Sequence, residues 1–218
     1  MAIAIDATSA NDFGSTASAT LAHTCTGSNL VLFAGVGCNG NSGDVVTGVT
    51  YNGSSMTRLG NTDFSGSFSM YVYYIINPAT GTNDIVASLS SSRFTKVSGL
   101  SVTGALQSGV PDGQDLITAG PTTSISVVPT VVASNCWVFS FVGNDANNAM
   151  TGSTGINAVA TQVGNSYYWG HSNGTVSTGA YTTTWTCSSQ RLAEISLSIA
   201  PVAASIFATR RALLNVGV

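Results

Sequence analysis

Charge is what this chain has least of. Asp, Glu, Lys and Arg make up 7% of its 218 residues, against about 25% in an ordinary soluble domain. The six cations (Arg58, Arg93, Lys96, Arg191, Arg210 and Arg211) are too few to line a phosphate-tracking groove, which argues against nucleic acid as a partner. A net charge of −3 is a weak field for a chain this long. Disorder is not the consequence, because disorder pairs low hydrophobicity with high charge and this chain is 44% hydrophobic.

The residues of common catalytic machinery are scarce as well. Glu194 is the single glutamate, and most of the aspartates sit in turn-like stretches (Asp44, Asp63, Asp112, Asp115, Asp145), where Asp bends and caps the chain for local reasons. A hydrolytic carboxylate pair needs two acids in one cleft. A nucleophile triad needs a histidine, and there are two, His23 and His171, with no Gly-x-Ser-x-Gly elbow. Cys25, Cys38, Cys136 and Cys187 form no C-x-x-C clip, so no zinc site is expected. Oxidised, they allow three pairings; without an export signal they read as buried thiols, although a particle released by lysis would let them oxidise later. The loops around Asp112–Asp115 and Asn144–Asn148 offer oxygen ligands but lack the twelve-position calcium pattern, and no metal ligand is assigned. Met1–Asp6 has no positively charged leader pattern, and no apolar run nears the roughly 18 residues of a membrane span. The expectation is a non-enzyme with no cofactor, no metal and no membrane partner.

What the chain does have is Ser, Thr, Asn and 24 Gly, with strand signals throughout. Leu30–Val36 and Met70–Ile76 are short apolar or aromatic runs. Leu100–Thr103, Ser124–Val128 and Ile195–Ile199 alternate apolar and hydroxyl side chains with period two, as a half-buried strand requires. No segment before residue 200 keeps a helical period. Ser28–Gly37 matches Ser134–Gly143, and Ser92-Arg93 leading to Gly99–Val102 matches Gln190-Arg191 leading to Glu194–Leu197. The expected fold is all-β: one antiparallel jelly-roll β-sandwich over residues 1–200, built from two similar halves (about 17–106 and 123–200), since neither half alone offers two sheets to pack. The seam falls at Gly109–Asp115.

Two further features mark candidate contact sites. Tyr167, Tyr168, Trp169 and Tyr181 suit either a core and sheet edge or a face for a glycan or partner. The tail, 201–218, is Ala- and Leu-rich and suits a short helix or arm. Ile206, Phe207, Leu213 and Leu214, with Arg210 and Arg211, are its candidate assembly contacts.

A resemblance adds to this reading. Val49–Thr57 with its V-T-Y-N-G hairpin, then Tyr73–Thr82, then Ser98–Gly104 resemble the jelly-roll or concanavalin-like sandwich module of phage virion proteins (decoration, head or tail fibre) and bacterial surface proteins. It covers roughly residues 20–106, with a fainter echo in the second half, and carries no catalytic residues. It implies a non-enzymatic structural protein located in the virion, of the capsid decoration (cement) or fibre-associated kind in a bacteriophage. Capsid or other virion proteins and further copies of itself are then the expected partners. The alternative is a carbohydrate-binding, lectin-like module or adhesin, for which the second-half aromatics are the discriminating feature.

Overall fold

A computed structural model describes residues 2–40, 43–64 and 66–203, and every regular element in them is a strand. The first half holds β1 (Ala4–Cys25), β2 (Val31–Asn39), β3 (Val46–Tyr51), β4 (Ser54–Ser55), β5 (Thr57–Phe64), β6 (Phe68–Ile76) and β7 (Gly81–Thr103). They form one antiparallel sheet in the order β4-β3-β7-β2-β6-β5, with β1 added along β7. On its other side β7 meets β3 over Ile85–Leu89 and β2 over Phe94–Val102.

This sheet curls back over itself. Ser9 and His23 lie fourteen positions apart on β1, which in a straight strand is roughly 45 Å, yet their side chains meet at 2.8 Å. The bend is made where the β1–β7 register slips, between Asp12 and Ser15 and between Thr16 and Ser18, since bulges sharpen local twist and curvature. The concave face holds its own core, with Leu32, Val36, Tyr71 and Tyr73 on one wall and Leu21, Val49, Ile85 and Leu89 on the other.

The second half repeats the plan with β8 (Gly113–Val127), β9 (Thr130–Val131), β10 (Trp137–Asn144), β11 (Thr151–Gly152), β12 (Ala158–Val163), β13 (Tyr167–His171), β14 (Gly179–Ala180) and β15 (Thr183–Ile199). Its sheet runs β11-β15-β10-β13-β12 with β8 along β15, and a separate ribbon pairs β9 with β14. β8 and β15 bend through slips between Thr186 and Leu192, and the concave face encloses Ile125, Val142, Ile156, Tyr168, Trp185 and Leu192. β8 therefore corresponds to β1, β10 to β2, β13 to β6 and β15 to β7.

The two curled sheets pack back to back through their convex faces. Phe33, Met70, Val72, Leu100 and Val102 meet Phe139, Phe141, Tyr167, Trp169, Ile195 and Leu197. Polar ties cross the same interface: Trp169 Nε1 donates to Ser98 Oγ at 3.0 Å and the Tyr167 hydroxyl to Asn39 Oδ1 at 2.9 Å. At its margin Lys96 Nζ reaches Ser166 Oγ at 3.0 Å and Arg191 reaches Ser67 Oγ at 2.6 Å. The fold is thus an all-β antiparallel sandwich of two similar halves. Each half offers two layers of its own, because its long outer strands bend back. β1 and β8 also begin well before residues 17 and 123.

Candidate functional site

The four candidate aromatics do not form a platform. Tyr167, Tyr168 and Trp169 are 1%, 3% and 0% exposed. Strand alternation sends Tyr167 and Trp169 into the central core and Tyr168 into the concave core of the second half. Trp169 lies 4.8 Å from Phe141, ring to ring, and Tyr168 lies 5.8 Å from Trp185. A face for glycan or partner at these three rings is corrected to core packing. Tyr181 is half-buried beside a polar groove lined by Asn157, Asn173, Thr175 and Ser177, with its hydroxyl donating to Gly155 O at 3.0 Å. The tail candidates Ile206, Phe207, Arg210, Arg211, Leu213 and Leu214 lie outside the described residues.

Each concave core holds one buried titratable group in a hydroxyl cluster. In the first half it is His23, 2% exposed. Ser101 gives its one proton to Asp6 Oδ2 at 2.8 Å, so His23 Nε2, 3.0 Å from Ser101 Oγ, must be the donor. That leaves Nδ1 to accept from Ser9. The row Ser9–His23–Ser101–Asp6 holds parts seen in nucleophile triads, but its imidazole is sealed between two layers of one sheet. Its geometric effect is to clip the curled hairpin shut.

Burial pulls the His23 pKa down from its ordinary 6.5 to about 4, against a smaller opposing effect of the Asp6 charge. Above pH 6.5 the imidazole is neutral in both folded and unfolded chains. As pH falls from there toward 4, the unfolded chain binds a proton that the folded one refuses, and stability drops, by up to about 3 kcal/mol. The expected result is that, in urea titrations from pH 6.5 down to 4, His23→Gln loses less stability than the parent, with His171, whose pKa burial also lowers, still acting in both. An unchanged acid limb in that variant would show that another group sets it.

In the second half the buried group is Glu194, 0% exposed. Its Oε1 accepts from Ser140 Oγ at 2.7 Å, Thr183 Oγ1 at 2.7 Å and Ser196 Oγ at 3.1 Å, while Oε2 has no partner. Burial pushes its carboxyl up to about 7, with the hydroxyl bonds pulling the other way. The register places Glu194 opposite Val142 on β10, where the first half has Val97 opposite Val36. It is an acid inserted into a core position, with the Asp115 charge adding a smaller upward push to that of burial.

A repeated aspartate sets the pole of the molecule. Asp6 accepts from the Thr26 and Gly27 backbone N–H groups and from Ser101. Burial opposes its charge, but these bonds and the Thr26 hydroxyl hold its carboxyl below the usual range. Asp112 does the same in the second half, accepting from Val132 N at 2.7 Å, Ala133 N at 3.0 Å and Ser198 Oγ at 3.1 Å. The sequence alone places Asp112 in a turn-like stretch and does not mark the pair. The spacing that carries Ser28 onto Ser134 also carries Asp6 onto Asp112 and Asn29 onto Asn135, and both asparagines have positive φ (51° and 60°).

At this pole the chain start, the crossover between halves and the last described residues converge. Leu106 N donates to Ala200 O at 2.8 Å, Val202 N donates to Gly104 O at 2.9 Å, and Ala105 bridges Pro201. Beside them opens an apolar groove of about 700 Å³, with Ala2, Leu106 and Ala200–Ala203 among its lining, together with Ala133, Ser134, Asn135 and Thr175. The small core nearby (Val131, Cys136, Val138, Ala200) is flanked by Leu106, Ala133, Val176 and Tyr181, which stay partly open. Val132, on the same loop as Ala133, is 66% exposed.

The chain matches no family model, no curated protein and no solved structure. The site therefore rests on its own chemistry. Among the described residues no group of three or more His, Cys, Asp or Glu side chains is placed to hold a metal ion. No described helix is long and apolar enough to cross a membrane. All four cysteines stand as free thiols, with Cys25, Cys38 and Cys136 buried. Burial pushes Cys38 and Cys136 up to about 12, far from the thiolate needed for reactivity.

Proposed function

We propose that this protein is a non-enzymatic structural component of a virus particle, of the capsid decoration (cement) or fibre-associated kind in a bacteriophage. It works by packing against other virion proteins and further copies of itself. The observation that carries the reading is the apolar groove beside a small, partly open core cluster, at the pole where the chain start and the last described residues converge. The surface around it supports the same reading. A chain with 7% charged residues places little repulsion between neighbours, and Val128 and Val132 are exposed close by in sequence. The glycan-binding alternative finds less support, because three of its four rings are core residues.

Size-exclusion chromatography with light scattering tests this on the full chain, alone and mixed with purified capsids. The expected result is a discrete oligomer, or saturable binding to the shell. A clean monomer that ignores capsids would sink the proposal.

A further inference from the structure

We infer that the small hydrophobic core beside the apolar groove is completed by a second copy of this chain, whose C-terminal segment, residues 204–218, seats in that groove. The inference rests on the assembly reading above and names its contact. The groove is lined in part by Val202 and Ala203, so the described chain ends at the groove itself. That segment carries two apolar pairs, Ile206-Phe207 and Leu213-Leu214. The small cluster beside it, with Leu106, Ala133 and Val176 partly open, presents complementary apolar surface.

A neighbour's segment fits better than the chain's own. Pro201 and Val202 are tied to Ala105 and Gly104 as part of the groove wall. A chain that turns back from there needs a reversal of about four residues. Ile206 and Phe207 fall within that span, which removes the first apolar pair from the groove. A segment arriving from another copy needs no reversal. Extended, its fifteen residues reach about 50 Å, enough to cross to an adjacent molecule.

The test pairs two defective proteins. Ser134→Trp in the full chain fills the exposed groove wall and keeps the segment; a chain ending at Ala203 keeps the groove and lacks the segment. The parent is expected to associate, each variant alone to run as a monomer, and their mixture to restore a one-to-one complex in light scattering. Thr175→Arg serves as a second groove variant, and fluorescence of the buried Trp169 and Trp185 verifies that each protein is folded. A mixture that stays monomeric overturns the inference. If the truncated chain associates as the parent does, the segment is not the contact: the inference is overturned and the assembly reading stands. If the parent is itself a monomer and binds no capsid, that reading fails, and the inference fails with it.

Discussion

Glu194→Gln is expected to make the protein more stable than the parent at alkaline pH, by about 2–3 kcal/mol at about pH 8. Below pH 4.5 the Glu194 carboxyl is protonated in folded and unfolded chains alike, and ionisation costs the fold nothing. Above that, the unfolded chain releases a proton that the folded one keeps, because burial holds the folded group up to about 7. Stability therefore falls as pH rises through this window and levels off once the folded carboxyl ionises. The glutamine keeps an oxygen to accept from Ser140, Thr183 and Ser196 and cannot ionise. Its amide nitrogen takes the place of the unpartnered Oε2, so at about pH 5 the two proteins should differ by no more than about 1 kcal/mol. Urea unfolding at both pH values checks this. Parallel profiles for parent and variant would mean that Glu194 does not set the alkaline limb. With His23 acting in the opposite sense on the acid side, stability should peak between about pH 5 and pH 6.

The strands with a strong apolar signal were legible in the sequence. β2, β6, β10 and the second part of β15 are apolar runs or alternations, and each lies in a buried layer. β1 was legible near His23 alone, because most of its 22 residues are Ser, Thr, Ala, Asn and Asp at a half-exposed sheet edge. Most of β8 was hidden for the same reason. The aromatic run of β13 is ambiguous for another reason. A strand buried on both faces loses the polar alternation that marks a surface, so Tyr167, Tyr168 and Trp169 suited an exposed ring cluster as well as a core. The curl of the two sheets is set by bulges near residues 12–18 and 186–192, and period two carries no trace of it. Without the curl, His23 and Ser9 have no reason to meet, and the polar clusters stay invisible. The pole was half legible: the repeat of Ser28–Gly37 in Ser134–Gly143 was read, but its extension back to Asp6 and Asp112 was not.

Gly37→Ala is expected to cost at least about 3 kcal/mol, a large effect for one methyl group. Gly37 lies on β2 against the face of Tyr167, and a Cβ added there would sit 2.1 Å from the ring's Cζ and 2.4 Å from both Cε atoms. Neither side can yield. Gly37 is held in the ladder between Met70 and Lys96. The Tyr167 ring is stacked near Phe141 at 6.0 Å, edges onto Phe68 at 6.4 Å and is anchored through its hydroxyl to Asn39. On its far side Gly143 leaves equally little room, with a Cβ meeting the ring at 2.6 Å and the Met70 sulfur at 2.4 Å. One tyrosine is therefore clasped by two glycines at matching positions of the two halves, and the close approach of the convex faces depends on both lacking a side chain. Tyr167→Phe keeps the ring and loses one hydrogen bond, so it should cost about 1 kcal/mol. Adding Tyr167→Leu to Gly37→Ala should recover part of the loss, because it removes the ring that the methyl strikes. Denaturant midpoints for the three variants decide the matter: equal losses in Gly37→Ala and the double variant would place the cost in the backbone of β2 instead of at the contact between the halves.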